Sequence, residues 1–481
     1  MENSDILNVI LEDVKKINFR EKAGKAFIDD ENKKLFEKHY LICVVEEIQS
    51  VAKNRGYALC KHYGNIYLNN GAYWSLVEED HFQTFLGKAS EKMGVSMFDA
   101  RFFRFQENLF KQFLSSCTLS NSNRKTNAVL INLQNGTFEI TKGKRELRNF
   151  KEEDFLTYQL PFEYQPYATA PIFKSYLDRV LPDVTLQNIL AEYIGYVFVK
   201  NLKLEKVLLL YGSGANGKSV FFDIINAILG EQNISNFSLQ SLNDPAYRAK
   251  IATKLLNYGS EIKGCLESNI FKQIASGEKV EAKALYKDPF IMSDYAKLLF
   301  NCNELPKDVE HNEAYFRRFI IIPFEVTIPN EERDVDLPKK IIEKELSGVF
   351  NWIMEGLERI LEQKKFSHSP IVDNYIEAYK KESDSIALFI DEEGYKAHHE
   401  NFILLSNLFQ SYRLYCSQSG HNNVNRNNFR ARLQNLKFNI ERKEQGNCVY
   451  LEKKTKSPQV KIKIIFKIII YIIYRNYSLI Q

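Results

Sequence analysis

The eight residues Gly212-Ser213-Gly214-Ala215-Asn216-Gly217-Lys218-Ser219 have the types and spacing that hold a phosphate chain. Gly212, Gly214 and Gly217 let the backbone fold its N–H groups inward around phosphate oxygens. Ser213, Ala215 and Asn216 complete the turn between them. Lys218 adds a point charge for the terminal phosphates, and the Ser219 hydroxyl is a suitable ligand for Mg²⁺. The chemistry expected of this loop is binding and hydrolysis of ATP with Mg²⁺.

Hydrolysis needs more than a cradle, and three later stretches supply the missing types. KLLNYGSEI (254–262) reads as a buried strand with Glu261 at its carboxyl end, the end that faces ligand in an open α/β sheet. A carboxylate there can polarise the attacking water and hold the Mg²⁺ shell. AKLLFNCNELP (296–306) reads as another apolar strand, ending at Asn303, whose amide can hydrogen-bond both a γ-phosphate and a water. EAYFRRFIIIPF (313–324) puts Arg317-Arg318 directly before a strand. A guanidinium is the group suited to reach a neighbour's nucleotide. Because side chains alternate in an extended segment, only one of the two is expected to do so.

The elements that must position these groups follow from periodicity. Val207 to Leu210 form an apolar strand that aims the glycine loop. VFFDIINAILG follows with helical spacing and stops at Gly230, so phosphate would lie at a helix N-terminus. From 206 to about 330, strands and helices alternate as in a parallel-sheet α/β domain. Upstream, Asn70-Gly71 and Asn135-Gly136 mark hairpins between apolar and aromatic strand residues. The Leu160–Pro166 stretch breaks regularity like a boundary. Short helices and a hairpin around Gln445-Gly446-Asn447 suggest a winged-helix module near the C-terminus. The expected organisation is an α+β domain over 1–120, a pre-core or oligomerisation region over 121–200, an ATPase core over 201–365, a winged-helix-like DNA-binding domain over 366–455 and a basic, apolar tail over 456–481.

With 481 residues and 44% apolar content the chain can bury two or three cores. Its net charge of +4 is unevenly spread: from Arg413 onward there are 14 Lys/Arg against 3 Asp/Glu, leaving −7 for everything before. A basic C-terminal block suits a polyanion such as nucleic acid or an anionic membrane, and Arg426, Arg430 and Arg432 in NRNNFRARL resemble a recognition helix. The seven cysteines form no CxxC pair, which argues against a zinc site or disulfide framework and fits a reducing cytosol. The N-terminus lacks a signal-peptide core. The uncharged C-terminal run Ile468–Tyr474 is far shorter than the ~20 residues of a membrane helix. A cytoplasmic protein without a membrane partner is expected.

The order of loop lysine, acidic strand end, polar strand end and arginine, within about 110 residues, resembles the superfamily 3 helicases. GSGANGKS, GSEI, SGEKVEAKALYKDPF, FNCNELP, FRRFIIIPF and FNWIMEGLERIL are similar to the helicase part of phage, plasmid and poxvirus-type primase-helicases, and the likeness spans roughly 125–365. The resemblance implies an AAA+-like core, a hexameric ring with ATP at subunit interfaces, and movement on single-stranded DNA. Lys218 and Ser219 would bind phosphate and Mg²⁺, Glu261 would be the acid that activates water, and Asn303 the sensor. Arg318, in preference to Arg317, would be the finger offered to the next subunit. Ser276–Pro289 matches the family's DNA-contacting hairpin, where Lys279, Lys283 and Lys287 would meet phosphates and Tyr286 would stack on a base. Two departures stand out: Ser260 precedes Glu261 where relatives often pair two acids, and Lys283 stands where many carry arginine. The first 120 residues lack an Asp-x-Asp pair and zinc-ribbon cysteines, so no primase catalytic domain is expected and priming would fall to a separate primase or polymerase. The function implied is an ATP-dependent DNA helicase in replication of a phage, plasmid or other mobile element, acting in a bacterial cell or phage-infected host. The alternative is a DNA-stimulated AAA+ switch or loader that opens no duplex.

Overall fold

The structure is a computed structural model that describes residues 2–30, 32–62, 65–117, 128–141, 144–259, 268–284, 288–306, 309 and 311–453. Amphipathic segments at the N-terminal end form helices α1 (Asn3–Asp13), α2 (Phe19–Lys22), α3 (Lys25–Ile28) and α4 (Glu37–Asn54). An antiparallel meander follows: β1 (Ala58–His62), β2 (Asn65–Asn69) and β3 (Trp74–Val77). Helices α5 (Glu79–Met93), α6 (Met97–Arg101) and α7 (Phe103–Ser116) complete this part. Asn70-Gly71 turns the second hairpin: the Asn70 side-chain oxygen accepts from the amides of Ala72 and Tyr73, and Gly71 takes a φ of 93° that a side chain would strain. Ile10, Val44, Ile48, Phe82, Leu86, Leu109 and Phe113 form the centre of a core that stays within residues 6–117.

A second meander, β4 (Val129–Leu133), β5 (Gly136–Thr141) and β6 (Lys144–Arg148), turns at Asn135-Gly136 and leads to helices α8 (Pro171–Val180) and α9 (Val184–Tyr196). The chain then alternates: β7 (Val207–Tyr211), α10 (Lys218–Leu229), β8 (Ile234–Ser235), α11 (Pro245–Ile251), β9 (Leu256–Gly259), α12 (Ser268–Ser276), the hairpin β10 (Val280–Ala282) and β11 (Phe290–Met292), β12 (Lys297–Cys302), α13 (Glu313–Phe316) and β13 (Phe319–Pro323). Five of these strands make a parallel sheet in the order β13-β7-β12-β9-β8. Their apolar runs are continuous rather than alternating because both faces are covered. Leu208, Leu210, Ile320 and Ile322 point into a core that runs from Val129 to Val372. Val207, Leu209, Phe319 and Ile321 point into the other, which includes Phe271, Phe316 and Tyr379. Each fully buried aliphatic side chain of this kind contributes about 1.5–3 kcal/mol.

Helices α14 (Leu337–Gln363) and α9 close the first of these cores. They touch backbone to backbone: a methyl group on Gly356 would overlap Ala191 and Glu192, and one on Gly195 would press on Leu357. Glu192 is fully buried between them, and its carboxylate accepts from Arg359 at 3.2 Å and from the Ser367 amide and hydroxyl at 2.8 and 2.6 Å. Further along α14, the buried Glu345 accepts from the amides of Ile172 and Phe173 and so caps the first turn of α8.

After α15 (Pro370–Glu382) come α16 (Ser385–Glu392), β14 (Tyr395–Leu404), α17 (Leu405–Ser419), α18 (Arg426–Asn435), β15 (Ile440–Lys443) and β16 (Gly446–Lys453). The three strands pair antiparallel in the order β14-β16-β15, and with the helices they enclose a separate core around Phe389, Leu408, Tyr412, Phe429 and Val449. The expected tail, 456–481, lies outside the described residues.

Candidate nucleotide site

The glycine loop lies where β7 hands over to α10, at the carboxyl edge of the parallel sheet. Its shape is enforced from several sides. A methyl group on Gly212 would overlap Asn216 Nδ2 and the Phe324 carbonyl. Gly217 has φ +85°, and a side chain there would meet Val180 Cγ1 at 2.7 Å and Tyr176 Cε2 at 3.1 Å. Ala215 also has a positive φ, and its carbonyl accepts from the Ile328 amide at 2.8 Å. Asn216 is the clamp: its Nδ2 donates to the Phe324 carbonyl at 2.8 Å, and its Oδ1 accepts from Lys218 Nζ at 3.0 Å. Tyr176, on the apolar face of α8, donates its hydroxyl to the Gly217 carbonyl at 2.9 Å.

Lys218 is buried, and its ammonium donates to the Gly212 carbonyl at 2.7 Å as well as to Asn216. Burial holds its pKa below the ordinary lysine value. The neighbouring Cys302 thiol is pushed up to about 12, also by burial, so it stays protonated. Ser219 is exposed on the first turn of α10, whose N-terminus carries no side-chain cap. An uncapped helix N-terminus with an exposed serine on its first turn is a position suited to a phosphate.

Strand β12 brings Asn303 to the same edge. It lies between β7 and β9, with Cys302 in register with Tyr211, and the Gly212 amide donates to the Cys302 carbonyl at 3.1 Å. Asn303 is the next residue along, and it is exposed. Strand β9 runs toward the same edge as far as Gly259, and Tyr258 donates to Asn301 Oδ1 at 3.1 Å. Glu261 lies outside the described residues, so the structure puts Lys218, Ser219 and Asn303 at one edge of the sheet and does not describe the acid. Among the described residues no group of three or more His, Cys, Asp or Glu is arranged to hold a metal ion.

The arginine pair, in which Arg318 is the expected finger, is split between surface and interior. Arg317 follows the short helix α13 rather than lying in extended backbone, and its side chain is 57% exposed. Arg318 is turned inward and buried, donating to Ser276 Oγ at 3.0 Å and to the Ala314 carbonyl. Glu205 lies between them, 2.8 Å from the Arg317 guanidinium and 3.5 Å from that of Arg318. A finger for another subunit must be able to leave its own, and in this conformation Arg317 is the one at the surface.

The β10–β11 hairpin projects Lys279 and Lys283 into solvent, while Tyr286 and Lys287 lie outside the described residues. Its root is held by the buried Arg248 of α11, which donates to the Glu281 carbonyl at 2.9 Å and to those of Leu242 and Asn243. Phe290 and Ile291 on β11 are exposed beside the lysines. In the C-terminal part, Arg426 and Arg430 are exposed one turn apart on α18, whereas Arg432 faces inward, 3.2 Å from the buried Asp384. Asn216 is expected only as part of the loop, not as its clamp, and Tyr176 and Arg248 have no functional signal in the sequence. Only the apolar spacing of Phe173, Tyr176, Leu177 and Val180 marks α8 as packed against something.

Parts of the chain resemble known proteins. Residues 33–182 match the "D5 N terminal like" family, and residues 210–318 match a family of unknown function, DUF5906. "Putative helicase L207/L206" of Acanthamoeba polyphaga mimivirus is 22% identical over 273 residues, covering 54% of this chain and 28% of that protein. "Putative helicase 184R" of Invertebrate iridescent virus 6 is 22% identical over 380 residues, covering 67% and 38% respectively. The chain thus spans about a third of the length of the curated relatives it matches. Among solved structures, the apo NrS-1 C-terminal region aligns with 84% of this chain and 98% of its own, at 12% identity and a TM-score of 0.47. The matched segments are similar to parts of putative viral helicases. The D5-like segment begins at residue 33, well before the 125 at which the helicase-like motifs become readable.

Proposed function

We propose that this chain is an ATP-dependent DNA helicase that assembles into a hexameric ring and moves along single-stranded DNA in the replication of a phage, plasmid or other mobile element. The observation that carries the reading is the Gly212–Cys302 hydrogen bond, which ties the glycine loop holding Lys218 to the end of β12, one residue before Asn303. A strand inserted between the loop strand and β9 also supports an AAA+-like core. The order helix, strand, two helices, hairpin over 385–453 supports a winged-helix module.

Bound ATP would supply the phosphoanhydride whose cleavage drives the cycle. Lys218 would exchange two carbonyl-type acceptors for phosphate oxygens, trading neutral hydrogen bonds for charge-assisted ones. Ser219 would share Mg²⁺ with phosphate oxygens and water, which suits an ion that keeps most of its hydration and takes few protein ligands. Glu261 would activate the water and Asn303 would orient it. Arg317 would leave Glu205 to reach the neighbour's nucleotide, and Arg318 would hold the turn from which it extends. Lys279, Lys283, Lys287 and Tyr286 would grip the single strand, and Arg426 and Arg430 would contact duplex. Priming would come from a separate primase or polymerase. No helix among the described residues is long and apolar enough to cross a membrane.

The test is strand displacement on a forked duplex. Wild-type protein with ATP should open it, and Lys218→Ala should not while still binding the fork. DNA-stimulated hydrolysis with no opening on any fork would overturn the helicase reading in favour of a switch or loader.

A further inference from the structure

At the edge of the parallel sheet opposite the glycine loop, the segments leading into β7, β9, β10 and β12 enclose a cavity of about 190 Å³. Lys200, Lys203, Lys254, Lys279 and Lys297 line it, and Asp294 is the one carboxylate among the described lining residues. Asp294 is already paired with Lys200. The six residues of β12 separate this edge from the loop by about 20 Å. The cavity is therefore not part of the nucleotide site.

Two features make it a site rather than a solvated charge run. First, the lysines come from four separate connections spread over 200–297, so the fold has gathered like charges that repel one another with too little carboxylate to offset them. Second, Lys297 is half-buried, with its ammonium 4.3 Å from the centre of the Tyr196 ring and donating to the Tyr196 hydroxyl at 3.2 Å. Burial pushes its pKa down to about 8, and that of Lys254 down as well. Both cations are held at a desolvation cost that an anion would offset. The volume is below the ~300 Å³ at which pockets begin to hold drug-sized ligands, so it fits a single ionic group better than a whole nucleotide.

We infer that this cavity is a second phosphate site, taking one backbone phosphate of the single strand as it passes the amino-terminal ends of the sheet. The inference rests on the proposed DNA reading and extends it. Lys279 stands at the root of the β10–β11 hairpin and also lines the cavity, so a strand gripped by the hairpin is within reach of the other lysines. A free phosphate would satisfy the same chemistry, and the test must tell the two apart.

The experiment uses the full chain and a fluorescent oligo(dT), with binding followed by anisotropy across a KCl series. The variants are Lys203→Ala, which is exposed and should fold normally, and Lys254→Ala with Lys297→Met, checked by thermal melting. Each lost phosphate contact should lower the slope of log K against log salt by about 0.7, with affinity falling several-fold at low salt. DNA-free ATP hydrolysis should not change. If wild-type and variants bind with the same slope and affinity, the second site is wrong while the DNA reading survives. If wild-type itself does not bind oligo(dT), the DNA reading fails and takes this inference with it. If inorganic phosphate raises the melting temperature of wild-type but not of the variants, and oligo(dT) binding is equal in all, the cavity takes free phosphate and the backbone assignment is overturned.

Discussion

Asn216 holds the phosphate loop and its lysine at once, which makes it the most economical place to perturb the site without touching Lys218. Asn216→Ala would leave the Phe324 carbonyl unpaired and Lys218 with one acceptor, a loss of about 1–3 kcal/mol. We expect the KM for ATP to rise at least several-fold while the fold persists, read from steady-state hydrolysis alongside a melting curve. The arginine pair offers a sharper contrast. Arg317→Ala should abolish most turnover and leave stability near wild-type, because that side chain is mostly exposed. Arg318→Ala removes a buried guanidinium that donates to Ser276 and Ala314, and should lower unfolding stability by about 2–3 kcal/mol in urea titration. If Arg317→Ala hydrolyses ATP normally and Arg318→Ala is fully stable but inactive, the two roles are reversed.

Among the elements, the α9–α14 contact sets the platform on which the loop strand lies. Its closeness depends on glycine, and Gly356→Ala would drive a methyl into the backbone of Ala191 and Glu192. Overpacking of about 1–3 kcal/mol should follow, lowering the melting temperature by roughly 2–12 °C in a scan that follows the helical signal. An unchanged melting curve would mean the two helices are not in backbone contact. These elements also show what the sequence makes legible. The loop strand, the helix after it and the two Asn-Gly hairpins are read correctly because their signals are local: a run of apolar residues, a 3.6-residue period, a turn dipeptide. Alternation predicts that only one of Arg317 and Arg318 points outward, and the pair is split that way; the choice of Arg318 comes from the helicase resemblance, which carries no information about α13, whose turn leaves Arg317 at the surface. The lysine cavity is invisible in the sequence for the same kind of reason. Its members lie up to 97 positions apart and share only the sheet edge that gathers them. The buried Glu192 and Glu345 look like surface charges on amphipathic helices until Arg359, Ser367 and the α8 amides are seen to surround them.

At the scale of the whole molecule, the proposed hydrolysis lies between copies of the chain rather than within one. Lys218, Ser219 and Asn303 share one edge of the sheet, while Arg317 precedes β13 at the other edge and is held by Glu205. Within one chain, then, Arg317 is not among the groups at the loop edge, and in the proposed ring a second copy would bring its own. Asp384 adds a link between the core and the C-terminal part, since it caps α16 and lies 3.2 Å from Arg432 and 3.7 Å from His311. Equal mixing of Lys218→Ala and Arg317→Ala subunits tests the composite site most directly. Random assembly leaves about a quarter of the interfaces with an intact lysine on one side and an intact arginine on the other, so turnover should recover toward a quarter of wild-type. Turnover no greater than the sum of the two separate preparations would contradict it.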